Sequence, residues 1–120
     1  MKEKYKYYSE RIGYNFLRIV KDLMKDKKVV QKDISAILNI SEKSVNKYLN
    51  GKTKLNRKFV LALCCLLETP PLVTFDIFYY AGLRISSKGD NLIYFDFIIS
   101  MGKRTKKENI SMFSKNFFKK

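Results

Sequence analysis

At 120 residues with 46% hydrophobic content, the chain has the material for one compact unit with a real core. No apolar run approaches the roughly 18–20 residues of a bilayer-spanning helix, and the basic start MKEKYKYYSERIGY lacks a signal peptide's apolar stretch, so a cytoplasmic protein without a membrane partner is expected. The net charge of +14 points to polyanionic partners, and the lack of any His removes the commonest general base and metal ligand.

Residues 9–27 read as a first helix, because Ile12, Phe16, Ile19, Val20 and Leu23 recur at helical spacing. Tyr5 and Tyr8 extend that stripe backward, and the Lys and Tyr residues ahead of it offer an amino-terminal arm. The next stretch, QKDISAILNISEKSVNKYLNGKTK, reads as two short helices joined by a tight turn and followed by a basic loop. Ile34, Ile37 and Leu38 form the apolar face of the first of these helices. Asn39 then suits a left-handed turn position, Ile40 points coreward, and Ser41 is a good N-cap. In the second, Val45, Tyr48 and Leu49 face inward while Glu42, Lys43, Ser44, Asn46 and Lys47 are polar. Asn50-Gly51 ends it, since Gly accepts left-handed geometry.

Asn56 is placed to cap a fourth helix over 57–68, with Phe59, Leu63, Leu66 and Leu67 on its buried face and Val60 and Cys64 flanking. Cys64 and Cys65 are adjacent and point apart on a helix, so they read as small apolar side chains rather than a disulfide. Thr69 is the expected cap of a fifth helix over 70–82, which is apolar nearly all round and needs a cover for its second face. The loop 84–90 follows, with Asp90 as the expected cap of a sixth helix over 91–101 that stops at Gly102. LIYFDFII is also a credible strand by composition; the cap, the stop and the lack of a partner strand favour helix. Thr105 and Glu108 have capping-box spacing, and Ile110, Phe113 and Phe117 predict a seventh helix over 106–118. No internal repeat is evident.

The helix-turn-helix stretch resembles the Xre/Cro-type domain of the lambda-repressor-like family. Gln31, Ser35, Asn39-Ile40-Ser41, Val45 and Asn50-Gly51-Lys52 stand at the family's spacings, with Ser35 in place of the usual Ala and Asn39 in place of the usual Gly. The resemblance implies an all-α fold: a five-helix DNA-binding domain over 9–83, with its helix-turn-helix at 31–50, and a carboxy-terminal helical extension over 84–120 available for dimerisation. It implies base reading by Glu42, Lys43, Ser44, Asn46 and Lys47. Phosphate contacts fall to Gln31, Lys32, Ser41, Asn50, Lys52, Lys54, Arg57 and Lys58. Phe75, Phe78, Tyr79, Phe113 and Phe117 are the candidates for contacts between subunits.

Charge placement agrees with this. The first sixty residues hold 16 basic and 6 acidic side chains, and six basic residues between Lys43 and Lys58 meet no acidic one. Catalysis has no support: Gly51-Lys52-Thr53 lacks the earlier glycine of a phosphate loop, and Asp22 and Asp26 alternate with Lys21, Lys25 and Lys27 as surface ion pairs do. The expectation is therefore a non-enzymatic, sequence-specific regulator of double-stranded DNA, a phage- or mobile-element-type repressor acting as a homodimer on a palindrome, without cofactor or metal. The competing expectation is a protein-interaction module of the same fold, of antitoxin or anti-nuclease type, with a protein partner.

Overall fold

The computed structural model describes residues 12–118, with side chains from Phe16 onward. The readings placed on Tyr5, Tyr8, Ser9 and the amino-terminal arm lie outside that range. The described residues form seven α-helices and no strand: α1 (Ile12–Lys27), α2 (Gln31–Leu38), α3 (Glu42–Leu49), α4 (Arg57–Leu67), α5 (Pro71–Tyr80), α6 (Leu92–Met101) and α7 (Lys106–Phe117). The all-α expectation holds, and 91–101 is helical.

α4 is the axis of the molecule. Every residue from Phe59 to Leu67 is buried, because α1, α2, α5 and α7 pack around it. The sequence had suggested a single buried face here; an all-apolar helix is instead enclosed on all sides. Cys64 and Cys65 lie in this core as free thiols, and loss of hydration pushes both pKa values up to about 12.

The fifth helix departs from expectation in the opposite sense. α5 packs on α1, α4 and α6, burying Thr74, Ile77 and Phe78, yet leaves Leu72 80% and Tyr79 48% exposed. α6 repeats the arrangement: Phe97 and Ile98 are buried, while Leu92, Ile93 and Ile99 are exposed. The two helices share one pattern, Leu72-Val73-x-Phe75-Asp76-Ile77-Phe78 and Leu92-Ile93-x-Phe95-Asp96-Phe97-Ile98, with matching burial at each named position, while at x Thr74 is buried and Tyr94 half-buried. They meet through Phe75 and Phe95, whose ring centroids are 5.7 Å apart. The repeat escapes composition because it consists of ordinary core residues; shared burial makes it visible.

Capping explains most of the helix ends. Asn56 accepts from the Phe59 amide at 2.8 Å, and Thr105 and Glu108 form the expected reciprocal box at 3.2 and 2.9 Å. Those amide and hydroxyl donors hold the Glu108 carboxyl below its ordinary pKa. Two expected caps are absent. Thr69 turns inward, its hydroxyl 2.6 Å from that of Thr74, so Pro70 precedes α5 without a side-chain cap. Asp90 sits inside a 3-10 turn, Gly89–Asn91, that leads directly into α6 and takes the place of a cap.

Five helices end in one way. Lys28, Asn39, Gly51, Glu68 and Gly82 each adopt positive φ, and the following amide bonds back to the carbonyl five residues earlier. An L-residue in that region costs roughly 1–2 kcal/mol, partly offset when Gly replaces it by glycine's greater unfolded-state freedom. Glu68 is exposed and has φ 56. Glu68→Gly is expected to raise stability by about 0.5–1 kcal/mol, read as a rise of about 2–5 °C in thermal melting. A fall would contradict the strain argument.

Candidate nucleic-acid interface

The site is built from α2 and α3. Val30 precedes α2 and offers no side-chain acceptor, but the Asp33 carboxylate accepts from the Val30 amide at 2.9 Å. Ile34 and Leu38 then anchor α2 on α4. Asn39, at φ 54, makes the turn, and the Ile40 amide bonds the Ser35 carbonyl at 3.2 Å. The Ser35 hydroxyl, an extra polar group in a tightly packed turn, donates to the Ile40 carbonyl and so closes the turn a second time.

Ser41 caps α3 as expected, accepting from the Ser44 amide at 3.1 Å, and its hydroxyl also meets that of Ser44 at 3.0 Å. Val45 and Leu49 are buried, and Tyr48 stacks on Phe59 of α4 with centroids 4.3 Å apart. The Tyr48 hydroxyl accepts from the Asn56 side chain at 3.0 Å, tying α3 to the start of α4. At about 100° per residue, Glu42, Asn46, Asn50, Lys43 and Lys47 fall in one arc of roughly 140° opposite these anchors. All five are exposed.

Four of the five expected base readers, Glu42, Lys43, Asn46 and Lys47, thus share this open arc; Ser44 is half-buried and engaged with Ser41. Asn46 is not wholly free, because the Asn50 amide donates to its Oδ1 at 3.0 Å and to its carbonyl at 2.9 Å. Of the expected phosphate set, Lys32, Ser41, Asn50, Lys52 and Lys54 are exposed around the arc, and Gln31 is half-buried at the first position of α2. Arg57 is diverted: its guanidinium donates to the Arg84 carbonyl at 3.0 and 3.2 Å, bracing α4 against the segment after α5. Lys58 lies over the Phe118 ring, 4.8 Å from its centroid.

Lys21 was read as a surface ion-pair partner, yet its ammonium reaches the Asn50 Oδ1 at 3.4 Å and lines a depression with Arg18, Leu49 and Asn50. The spacing of α1 shows only that Lys21 faces outward, not which neighbour it faces, so sequence held no signal for this. Among the expected subunit contacts, Phe78 and Phe113 are 1% and 0% exposed. They fill the protomer's own core, and that expectation is corrected for both. Phe117 is half-buried among Tyr94, Phe97 and Phe113, Phe75 meets Phe95, and Tyr79 alone of the five is exposed.

No group of three His, Cys, Asp or Glu side chains among the described residues is arranged to hold a metal, and no described helix is long and apolar enough to cross a membrane. What the arrangement offers is a rigidly held polar helix face beside a basic loop. Residues 20–73, from α1 into α5, match the helix-turn-helix family. Over that segment, a little under half of the chain, the protein is similar to helix-turn-helix domains of the Xre/lambda-repressor-like kind, the type carried by DNA-binding regulators. Comparison with curated proteins and with solved structures finds no match.

Proposed function

We propose that the protein is a sequence-specific regulator of double-stranded DNA, a phage- or mobile-element-type repressor that binds a palindromic operator as a homodimer. The observation that carries this reading is the exposed arc of Lys43, Asn46 and Lys47 on α3, flanked by exposed Lys32, Lys52 and Lys54. In the major groove, Lys donates to guanine O6 and N7, Asn pairs with adenine, and Glu42 accepts from cytosine N4. The positive end of α2 at Gln31 and the loop lysines hold phosphates and set register. Because Asn46 already accepts from Asn50, reading an adenine exchanges that bond for one to the base.

The surface best suited to a second subunit is the one shared by α5 and α6. Leu72, Val73, Tyr79, Leu92, Ile93 and Ile99 are exposed there, and neither helix contains a basic residue. Two copies of a +14 chain can approach there without opposing lysines.

Selection of sites from a random duplex library at about 150 mM salt, where general binding is weak, tests the reading. Recovery of a motif with two inverted half-sites is the expected result. Glu42, exposed on the reading arc, favours a second reading, a module that binds another protein; recovery of no motif would move the assignment there.

A further inference from the structure

We propose that Lys21, on α1, is a positioning residue for base reading: through Asn50 it holds the Asn46 side chain with its amino end toward the groove, and so weighs against adenine at the operator base that Asn46 meets. This rests on the DNA-binding reading above. Packing brings α1 to the end of α3. Phe16, Val20 and Met24 bury the inner face of α1, and Leu17 Cδ1 comes within 3.5 Å of where a Cβ on Gly51 would stand. Lys21, one turn further on, then reaches Asn50. The side-chain amide of Asn50 has two ends, and each meets one kind of neighbour. The Lys21 ammonium, which only donates, lies 3.4 Å from Oδ1, and the Asn46 main-chain carbonyl, which only accepts, lies 2.9 Å from Nδ2. Turning the amide over would set donor against donor at one end and acceptor against acceptor at the other. Asn50 is thus fixed with Nδ2 toward Asn46, which meets it with Oδ1 at 3.0 Å. The orientation passes along the chain: Asn46 commits its oxygen to Asn50 and leaves its Nδ2 donors to the open arc of α3.

Base edges in the major groove divide by this. Guanine shows the acceptors N7 and O6 and thymine shows O4, which Nδ2 can meet as it stands. Adenine sets an N6 donor beside its N7 acceptor, and a bidentate contact needs the Asn46 oxygen as well. Adenine is therefore read only through the exchange with Asn50 described above, and the tie from Lys21 opposes that exchange by holding Asn50 in place.

The operator position concerned is found first, as the one whose preference Asn46→Ala abolishes in site selection with the full chain. Wild type, Lys21→Met, Asn50→Ala and the two together are then titrated by fluorescence anisotropy on duplexes carrying adenine, guanine or thymine there. Lys21 and Asn50 are exposed, and Asn50 has φ -104, which Ala adopts freely, so the variants fold. Each single variant is expected to shift the affinity ratio toward adenine by about two- to tenfold, the span of one hydrogen bond. The double variant should shift it no further than Asn50→Ala alone, because Lys21 acts through Asn50. Arg18→Ala, which removes a charge from the same depression, is expected to leave the ratio unchanged. An unmoved ratio in Lys21→Met overturns the proposal, and with a shallower salt slope it makes Lys21 a phosphate ligand instead. Additive shifts in the double variant, or an equal shift in Arg18→Ala, overturn it too. If Asn46→Ala abolishes preference at no position, or wild type binds no duplex, the base-reading role beneath falls instead.

Discussion

A Lys43→Ala/Asn46→Ala variant is expected to lose between about thirtyfold and ten-thousandfold in affinity for the selected operator while remaining folded. Each good side-chain contact with a base edge discriminates by about 1–3 kcal/mol, and each 1.4 kcal/mol is tenfold. Both residues are exposed on α3, so their truncation opens no cavity. The structural loss is confined to the bond from the Asn50 side chain to Asn46 Oδ1, a contribution of about 0.5–1.5 kcal/mol. Binding to random duplex should fall far less, because Lys52 and Lys54 still hold phosphates. A Lys52→Ala/Lys54→Ala variant should behave in the complementary way: weaker on every sequence, with a shallower salt slope and intact base preference. Anisotropy titrations on operator and scrambled duplexes read both patterns. If the α3 variant kept its preference for the operator, the arc on α3 would not be the reading surface.

The helix-turn-helix was legible in the sequence because its determinants are local. Asn39, Ser41, Gly51 and Asn56 each act on backbone within a few residues, and all four adopt the expected roles. What escaped the sequence depends on tertiary neighbours. Arg57 carries the composition of a phosphate ligand, but the Arg84 carbonyl claims it from 27 positions away. Lys21 meets Asn50 for the same kind of reason. The aromatic residues of α5 and α7 could not be divided between core and surface from periodicity, since α5 is apolar nearly all round; only packing on α1, α4 and α6 separates buried Phe78 from exposed Tyr79. Thr69 and Asp90 failed as caps because a buried hydroxyl partner and a 3-10 turn satisfied those ends differently.

Phe59 joins stability to function, and Phe59→Ala should expose the link. Its ring is 1% exposed in the first half of α4 and stacks on Tyr48, 4.3 Å between centroids, on the buried side of α3. Truncating a buried Phe to Ala costs about 3–5 kcal/mol through lost transfer energy and the cavity left behind. Domains of this kind have about 5–15 kcal/mol in total, so the variant should be near its folding limit. Chemical denaturation should show that loss. The informative comparison is Tyr48→Phe, which keeps the stacked ring and removes only the hydroxyl that accepts from Asn56. That bond is worth about 0.5–1.5 kcal/mol. Its removal should leave the fold stable while loosening the tie between α3 and the basic loop. Operator affinity should then drop modestly, with the unfolding midpoint changed only slightly. If Phe59→Ala left stability unchanged, α4 would not be the axis around which the site is built. The stack on Tyr48 would then be a surface contact with no hold on the reading helix.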